Sequence, residues 1–268
     1  STPGAAKDNT DITINEYDGF NQLIKTSTGD ITAEYTYDGN GLRTSKNING
    51  IVTSHIWDGS QIILETNGAG EVTSKYVRGI NLICSEDGTG ANRRFFLYNG
   101  HGDVVQLTDT SGNSIKVYDY DAFGNEKNPD ANDTNVFRYC SEYFDKETGT
   151  IYLRARYYDP MIGRFITEDS YWGKDNDPLS LNLYTYCAND PVGLFDPSGH
   201  RAVATGPFGL IKKVMETALN IGKDMYIYDY KFTTAAGAYF LDMRVDKNGI
   251  YHANFDCWQS AFGYNNFY

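Results

Sequence analysis

Cysteine is scarce. The four residues, Cys84, Cys140, Cys187 and Cys257, include no Cys-x-x-Cys pair and no zinc-like spacing with histidine. A disulfide scaffold and a structural metal are therefore not expected, and buried free thiols are. His55, His101, His200 and His252 show no Cys or carboxylate at ligand spacing, so each reads as an ordinary polar side chain, and no cofactor is expected. No apolar run approaches the roughly 18 residues that would cross a bilayer as a helix. The chain opens on Ser1 with no charged-then-apolar leader, so it is expected to be a fragment or processed product whose targeting signal is lost. Helix formers are sparse before about residue 205, which leaves an all-β body as the expectation. Positive charge is also short: 23 Lys/Arg face 35 Asp/Glu, for a net charge of −12. Residues 201–268 carry seven Lys/Arg and six Asp/Glu, so the excess acid belongs to the body. Such a body would repel phosphates and is not expected to bind nucleic acid.

Tyrosine is abundant, with 22 residues, and glycine with 27. The tyrosines recur. Tyr17-Asp18-Gly19, Tyr37-Asp38-Gly39 and Trp57-Asp58-Gly59 are spaced by 20 residues. Tyr76-Val77-Arg78-Gly79, Tyr98-Asn99-Gly100, Tyr118-Asp119 and Tyr120-Asp121 continue the series. Asn49-Gly50 lies between two alternating runs, a strong hairpin signal. Two strands and their tight turns consume about twenty residues. Asp and Gly follow the aromatic because the chain must turn there.

This pattern resembles the Rhs/YD-repeat family, which includes bacterial Rhs toxins, the C component of insecticidal ABC toxins, and teneurins. The resemblance implies a mainly β fold, a spiralling antiparallel sheet of repeat hairpins forming part of a hollow shell, with a small α+β tail. From Phe137 a denser run begins, and Tyr152–Phe165 reads YLRARYYDPMIGRF. It closes on Asp196-Pro197-Ser198-Gly199 and resembles the Rhs-associated core. The expected division is a repeat segment over 1–136, the core over 137–200, and the truncated start of an effector domain over 201–268.

The resemblance implies that the core is an intramolecular aspartyl protease that cuts after the Asp-Pro-x-Gly motif, here between His200 and Arg201. It assigns Asp196 and Asp169 as the carboxylate pair and leaves Arg164 to orient one of them. The chemistry is coherent in itself. One carboxylate activates water while its protonated partner donates to the carbonyl or the leaving amide. Paired negative charges drive two such pKa values apart. Acyl-shift and asparagine-cyclisation routes lack their residues, because Arg201 follows the bond and His200 precedes it. Two positions depart from the family pattern, Ser170 where Pro is usual and His200 where Leu is usual. Asp177-Pro178 offers an alternative first carboxylate. Asp before Pro is also a common turn initiator, so a purely architectural closing motif, in a non-enzymatic shell for adhesion or surface interaction, stands as the alternative.

In the tail, apolar residues at helical spacing over 207–225 suggest one amphipathic helix. Met225–Tyr230, Ala238–Val245 and Ile250–Ala253 read as strands around a turn at 246–249. The run from Asp256 to Tyr264 resembles the start of a domain of unknown function found at the ends of polymorphic toxins. His252, Asp256 and Cys257 have no spacing that selects a reaction. The expected partners are the chain's own C-terminal effector segment and a cognate immunity protein, and the expected location is secreted or at the bacterial cell surface.

Overall fold

A computed structural model describes residues 12–79, 81–173, 175, 178–204 and three tail strands. The chain divides into two units, 1–202 and 203–268. In the first, the repeats form one eleven-stranded antiparallel sheet whose strands pair in sequence order. They are β1 (Thr13–Tyr17), β2 (Leu23–Thr28), β3 (Ile31–Tyr37), β4 (Arg43–Ile48), β5 (Ile51–Asp58), β6 (Gln61–Asn67), β7 (Val72–Arg78), β8 (Leu82–Asp87), β9 (Arg94–Tyr98), β10 (Val104–Thr108) and β11 (Ser114–Val117).

The turns explain the aspartates. Asp18 Oδ1 accepts the backbone N–H groups of Phe20 and Gln22, each at 2.9 Å. Asp38 does the same for Asn40 and Leu42. A carboxylate that takes the donors two and four residues on replaces the hydrogen bonds the chain loses in reversing. Asn49 (φ 50°) and Gly50 (φ 91°) make the expected left-handed hairpin turn.

The aromatic has a task that the spacing alone does not reveal. Tyr37 donates its hydroxyl to the Leu23 carbonyl at 2.6 Å, and Trp57 donates Nε1 to Arg43 at 2.9 Å. Tyr98 reaches Leu82, and Tyr120 reaches Val104. Each ring is buried or half-buried while its polar tip pins the strand of the preceding repeat. This geometry corrects parts of the expected series. Arg78, not Tyr76, fills the slot in the fourth repeat, with Nε donating to the Ile62 carbonyl. Tyr76 instead points into the core and donates to Glu65. In the last repeat Tyr120-Asp121 holds the turn. Tyr118 bonds Asp133, and Asp119 pairs with exposed Lys127. Asp58 ends β5 at a two-residue turn through Gly59 (φ 57°), too short for the longer side-chain cap.

One face of the sheet packs on the segment from Phe137 onward. There β12 (Tyr143–Asp145), β13 (Thr150–Tyr152), β14 (Tyr157–Asp159) and β15 (Arg164–Phe165) form a four-stranded antiparallel sheet. Leu23, Tyr35, Tyr76, Leu82 and Phe96 of the large sheet share a core with Phe137, Tyr143, Tyr152 and Tyr157. Arg43 lies in this core with no exposed surface, and its guanidinium binds Asp145, equally buried, at 2.5 and 3.0 Å. Lys46 adds a second contact to Asp145 at 3.1 Å, and the Tyr152 ring lies 4.4 Å from the Arg43 guanidinium. Burial raises the Asp145 carboxyl, but Arg43 and Lys46 outweigh it and hold it below the usual aspartate value. His55, beside this cluster, is pushed down to about 3 by burial and by the Arg43 charge.

Among the described residues Cys84, Cys140 and Cys187 are free and buried. The tail contributes three antiparallel strands, Met225–Thr234, Gly237–Val245 and Tyr251–Trp258, longer than the expected ones. The helix expected over 207–225, the turn at 246–249 and the side chains of His252, Asp256 and Cys257 lie outside the described residues. No helix among the described residues is long and apolar enough to cross a membrane.

Two outcomes test this core. Asp145→Asn leaves Arg43 charged, buried and half-paired, and is expected to cost about 3–5 kcal/mol in urea denaturation. His55 stays neutral in the fold, whereas in the unfolded chain it takes up a proton below about pH 6.5. Its contribution is therefore complete above that value and drains as pH falls toward 3. Urea midpoints measured at about pH 7 and about pH 5 should differ less in His55→Gln than in the wild type.

Candidate functional site

The strand containing Tyr152 leaves its sheet at Leu153. Arg154 adopts a left-handed backbone (φ 65°), and Ala155 N–H turns back onto the Leu153 carbonyl at 2.9 Å. Residues 154–156 then face the Asp-Pro-Ser-Gly turn in matched register. Arg154 Nη1 donates to the Pro197 carbonyl at 3.1 Å, and Ala155 N–H to Ser198 at 3.1 Å. Arg156 Nε donates to Gly199. Three consecutive residues thus hold three consecutive carbonyls of the closing motif. Within the motif, Asp196 Oδ1 accepts Ser198 N–H at 3.0 Å and Gly199 N–H at 2.9 Å.

The second carboxylate arrives from β15. Phe165 N–H bonds Tyr184, Ile166 N–H bonds Tyr157, and Asp169 N–H bonds Leu183. The first repeat supports this stretch, because Tyr17 donates its hydroxyl to the Ile166 carbonyl at 2.8 Å. Asp169 and Asp196 then meet on one nitrogen. Arg156 Nη2 lies 2.9 Å from Asp169 Oδ2 and 3.8 Å from Asp196 Oδ2. Asp196 is 2% exposed, whereas the Asp169 side chain keeps 19%, enough for contact with water. A pocket of 330 Å³ is lined by Arg156, Asp169, Asp196, His200 and Arg201. His200 and Arg201 are exposed at it, and His200 N–H bonds Ser198 Oγ at 3.3 Å. Burial pulls the Arg156 guanidinium below its ordinary value against the two carboxylates, which draw it up; an arginine stays charged regardless. Cys187, also in the pocket wall, is pushed up to about 12 by burial and is a neutral thiol.

Of the expected site residues, Asp169, Asp196, His200 and Arg201 come together. Arg164 does not join them: its Nη1 donates to the Gly163 carbonyl at 2.8 Å. β14 and β15 run antiparallel with Asp159 opposite Arg164, which sets Arg164 away from the start of β14, where Arg156 supplies the guanidinium. The sequence held a signal for Arg156, an arginine within an aromatic strand that needs a counter-ion once buried. Asp177 lies outside the described residues.

One further cluster corrects the reading of the histidines. His101 Nδ1, Asp103 Oδ1 and Cys140 Sγ all lie within 4.8 Å of one another, a set of atoms able to ligate a metal. Asp103 is already engaged, by His101 at 2.8 Å, Cys140 N–H at 2.9 Å and Asn99 at 2.8 Å. The cluster thereby latches the ninth-to-tenth strand turn to the segment around residue 140.

A Tyr-Asp repeat sheet with one face covered by an aromatic plug that ends in Asp-Pro-x-Gly has the architecture of a YD-type β-shell. The family model described as Teneurin YD-shell matches residues 9–192, and the chain belongs to that family. It is 45% identical over 109 residues to the tRNA(Glu)-specific nuclease WapA of Bacillus subtilis subsp. natto, covering 40% of this chain and 5% of that protein. It is 33% identical over 118 residues to toxin protein Tse5 of Pseudomonas aeruginosa, covering 41% and 8%. Double-stranded DNA deaminase toxin A of Burkholderia cenocepacia is 33% identical over 132 residues, with 44% and 9% covered. The crystal structure of TcdB2-TccC3 shares the fold at a TM-score of 0.55 and 23% identity, over 70% of this chain and 10% of that one. The chain thus spans a tenth or less of the length of these relatives.

Gly199 tests the docking of the closing motif. It has φ 77°, and a Cβ there would meet the Leu153 carbonyl at 2.7 Å and Arg156 N at 2.8 Å, both backbone atoms. Gly199→Ala should lower stability by at least about 1–2 kcal/mol, the left-handed cost alone. Thermal melts should show this, whereas Gly149→Ala, with nothing near its Cβ position, should lose only that backbone cost.

Proposed function

We propose that this chain is the closing part of an Rhs-type toxin shell whose plug is an intramolecular aspartyl protease. It cuts between His200 and Arg201 and frees the segment beginning at Arg201 as a C-terminal effector. The observation that carries this reading is the pocket in which Asp169 and Asp196 share Arg156 while His200 and Arg201 line the same wall. In the reaction, a deprotonated carboxylate takes a proton from water as its oxygen attacks the His200 carbonyl carbon. The protonated partner donates to the Arg201 nitrogen as the C–N bond breaks. The products are a His200 carboxylate and an Arg201 amine. Asp169 is the better-placed base, because it retains exposure to water.

Toxin relatives such as Tse5 and WapA support a shell fused to an effector and carried by a secreted or cell-surface bacterial protein; a cognate immunity protein that restrains the effector in its producer is part of the same proposal. The excess of acidic residues in the repeat body speaks against its binding nucleic acid, whose phosphates it would repel. A second reading, an architectural closing motif in a non-enzymatic shell, draws on Asp196 itself: its Oδ1 is occupied as a turn cap by two backbone donors.

Intact-mass analysis of the purified chain separates the two. The wild type should yield a fragment beginning at Arg201, and Asp169→Asn and Asp196→Asn should slow its appearance at least about a hundredfold. Cleavage after His200 at the wild-type rate in both variants would exclude the carboxylate mechanism. A wild-type chain that stays intact at every pH would favour the architectural reading.

A further inference from the structure

The turn between β9 and β10 meets the start of the plug at three side chains of metal-binding type. His101 Nδ1, Asp103 Oδ1 and Cys140 Sγ all lie within 4.8 Å of one another. Nδ1 stands 2.8 Å from Oδ1 and 3.8 Å from Sγ. Imidazole, carboxylate and thiolate together suit zinc, which takes nitrogen and oxygen at about 2.0 Å and sulfur at about 2.3 Å. Around a tetrahedral ion those lengths set nitrogen and oxygen about 3.3 Å apart, and sulfur about 3.5 Å from either. Side-chain shifts of about an ångström therefore admit the ion. We propose that His101, Asp103 and Cys140 form a zinc site, with a water molecule completing the tetrahedron.

The surroundings favour a cation. Both ring nitrogens of His101 face acceptors: Nδ1 the Asp103 carboxylate, and Nε2 the Leu194 carbonyl at 3.4 Å. A neutral imidazole has one N–H and satisfies only one of them. The other is answered by a second proton or by a metal ion at Nδ1. The ion leaves the Nε2 hydrogen on Leu194, the arrangement that orients metal-bound imidazoles. The remaining ligands are braced as well. Asn99 Nδ2 donates to Asp103 Oδ2 at 2.8 Å, and Cys140 N–H donates to Oδ1 at 2.9 Å. The Tyr186 hydroxyl stands 3.8 Å from Sγ, where it can donate to a thiolate. Burial pushes the Cys140 thiol up and keeps it neutral by itself, but a coordinated divalent ion removes that proton outright. The thiol proton, and any proton on Nδ1, pass to solvent. One thiolate and one carboxylate then balance the charge of the ion.

The ion acts as a staple. It ties the repeat turn at 101–103 to the plug at Cys140, 37 residues beyond Asp103. Through Nε2 it also holds Leu194, two residues before the closing motif begins. That separation in sequence hid the site from any spacing rule.

The experiment strips the full purified chain with a chelator, reloads it with zinc chloride and measures retained metal by elemental mass spectrometry. Cobalt(II) serves as the spectroscopic probe, and each variant is melted with and without zinc. The wild type should hold about one zinc per chain and melt higher with it. Its cobalt form should show a thiolate-to-metal charge-transfer band and the intense visible bands of a tetrahedral site. His101→Gln and Cys140→Ala should each weaken zinc binding at least about a hundredfold. Cys140→Ala should abolish the thiolate band, whereas Cys84→Ala and Cys257→Ala should keep it. A wild type that retains no zinc would overturn the proposal and leave the cluster a hydrogen-bonded latch. Wild-type zinc affinity in either folded variant would put the ion elsewhere and overturn it equally. Should neither variant fold, X-ray absorption at the zinc edge of the wild type decides. One sulfur beside nitrogen and oxygen is expected; a shell with no sulfur, or with two, would overturn the site.

Discussion

A buried guanidinium must find its carboxylates, and this molecule is assembled around that requirement. Arg43 has no exposed surface and neither does Asp145, so neither strand that carries them tolerates separation from the other. The pair joins β4 of the repeat sheet to β12 of the plug across a sequence separation of 102 residues. Aromatic rings close over it, with Tyr35, Tyr143, Tyr152 and Tyr157 all within cation–π reach of Arg43. At the other end of the plug the same arrangement recurs with Arg156, Asp169 and Asp196, in a more accessible setting. Buried at one end, the pairing locks the architecture; opened to water at the other, it can become chemistry.

The repeats share a subtler economy. Each aromatic contributes apolar area to the core, and its polar tip satisfies a carbonyl of the preceding repeat. A hairpin is therefore fastened by its successor as well as by its own ladder. Arg78 shows that the requirement is for a long, partly apolar side chain with a donor at its end, since it fills the slot without a phenol. The first ring faces forward instead: Tyr17 reaches Ile166 in the plug, so the start of the sheet supports the segment that presents Asp169.

Local chemistry made much of this legible in the sequence. Asp18, Asp38 and Asn49-Gly50 turn the chain by interactions confined to a few residues, and pattern alone locates them. Tyr76 and Arg78 were harder, because each of the first four repeats has a register irregularity just before its slot residue, at Glu16/Tyr17, Thr36/Tyr37, Ile56/Trp57 and Val77/Arg78, and only in the fourth is that residue not aromatic. Arg156 escaped because its partners stand 13 and 40 residues away, and the conspicuous Arg164 nearer Asp169 drew the assignment. His101, Asp103 and Cys140 were invisible as a group for the same reason. The left-handed backbones at Cys140, Arg154 and Cys187 carry no sequence signature, since none is glycine or asparagine.

The central claim is that two carboxylates activate a water molecule to hydrolyse one defined bond. Cleavage carried out in ¹⁸O-labelled water tests it most directly, with the oxygen located by tandem mass spectrometry of the fragment ending at His200. The account expects a single ¹⁸O in the new His200 carboxylate and none in the Asp169 or Asp196 side chains after one turnover. Label in either aspartate would indicate a covalent acyl intermediate. A cut at the Asp196–Pro197 bond instead of after His200 would contradict the account outright.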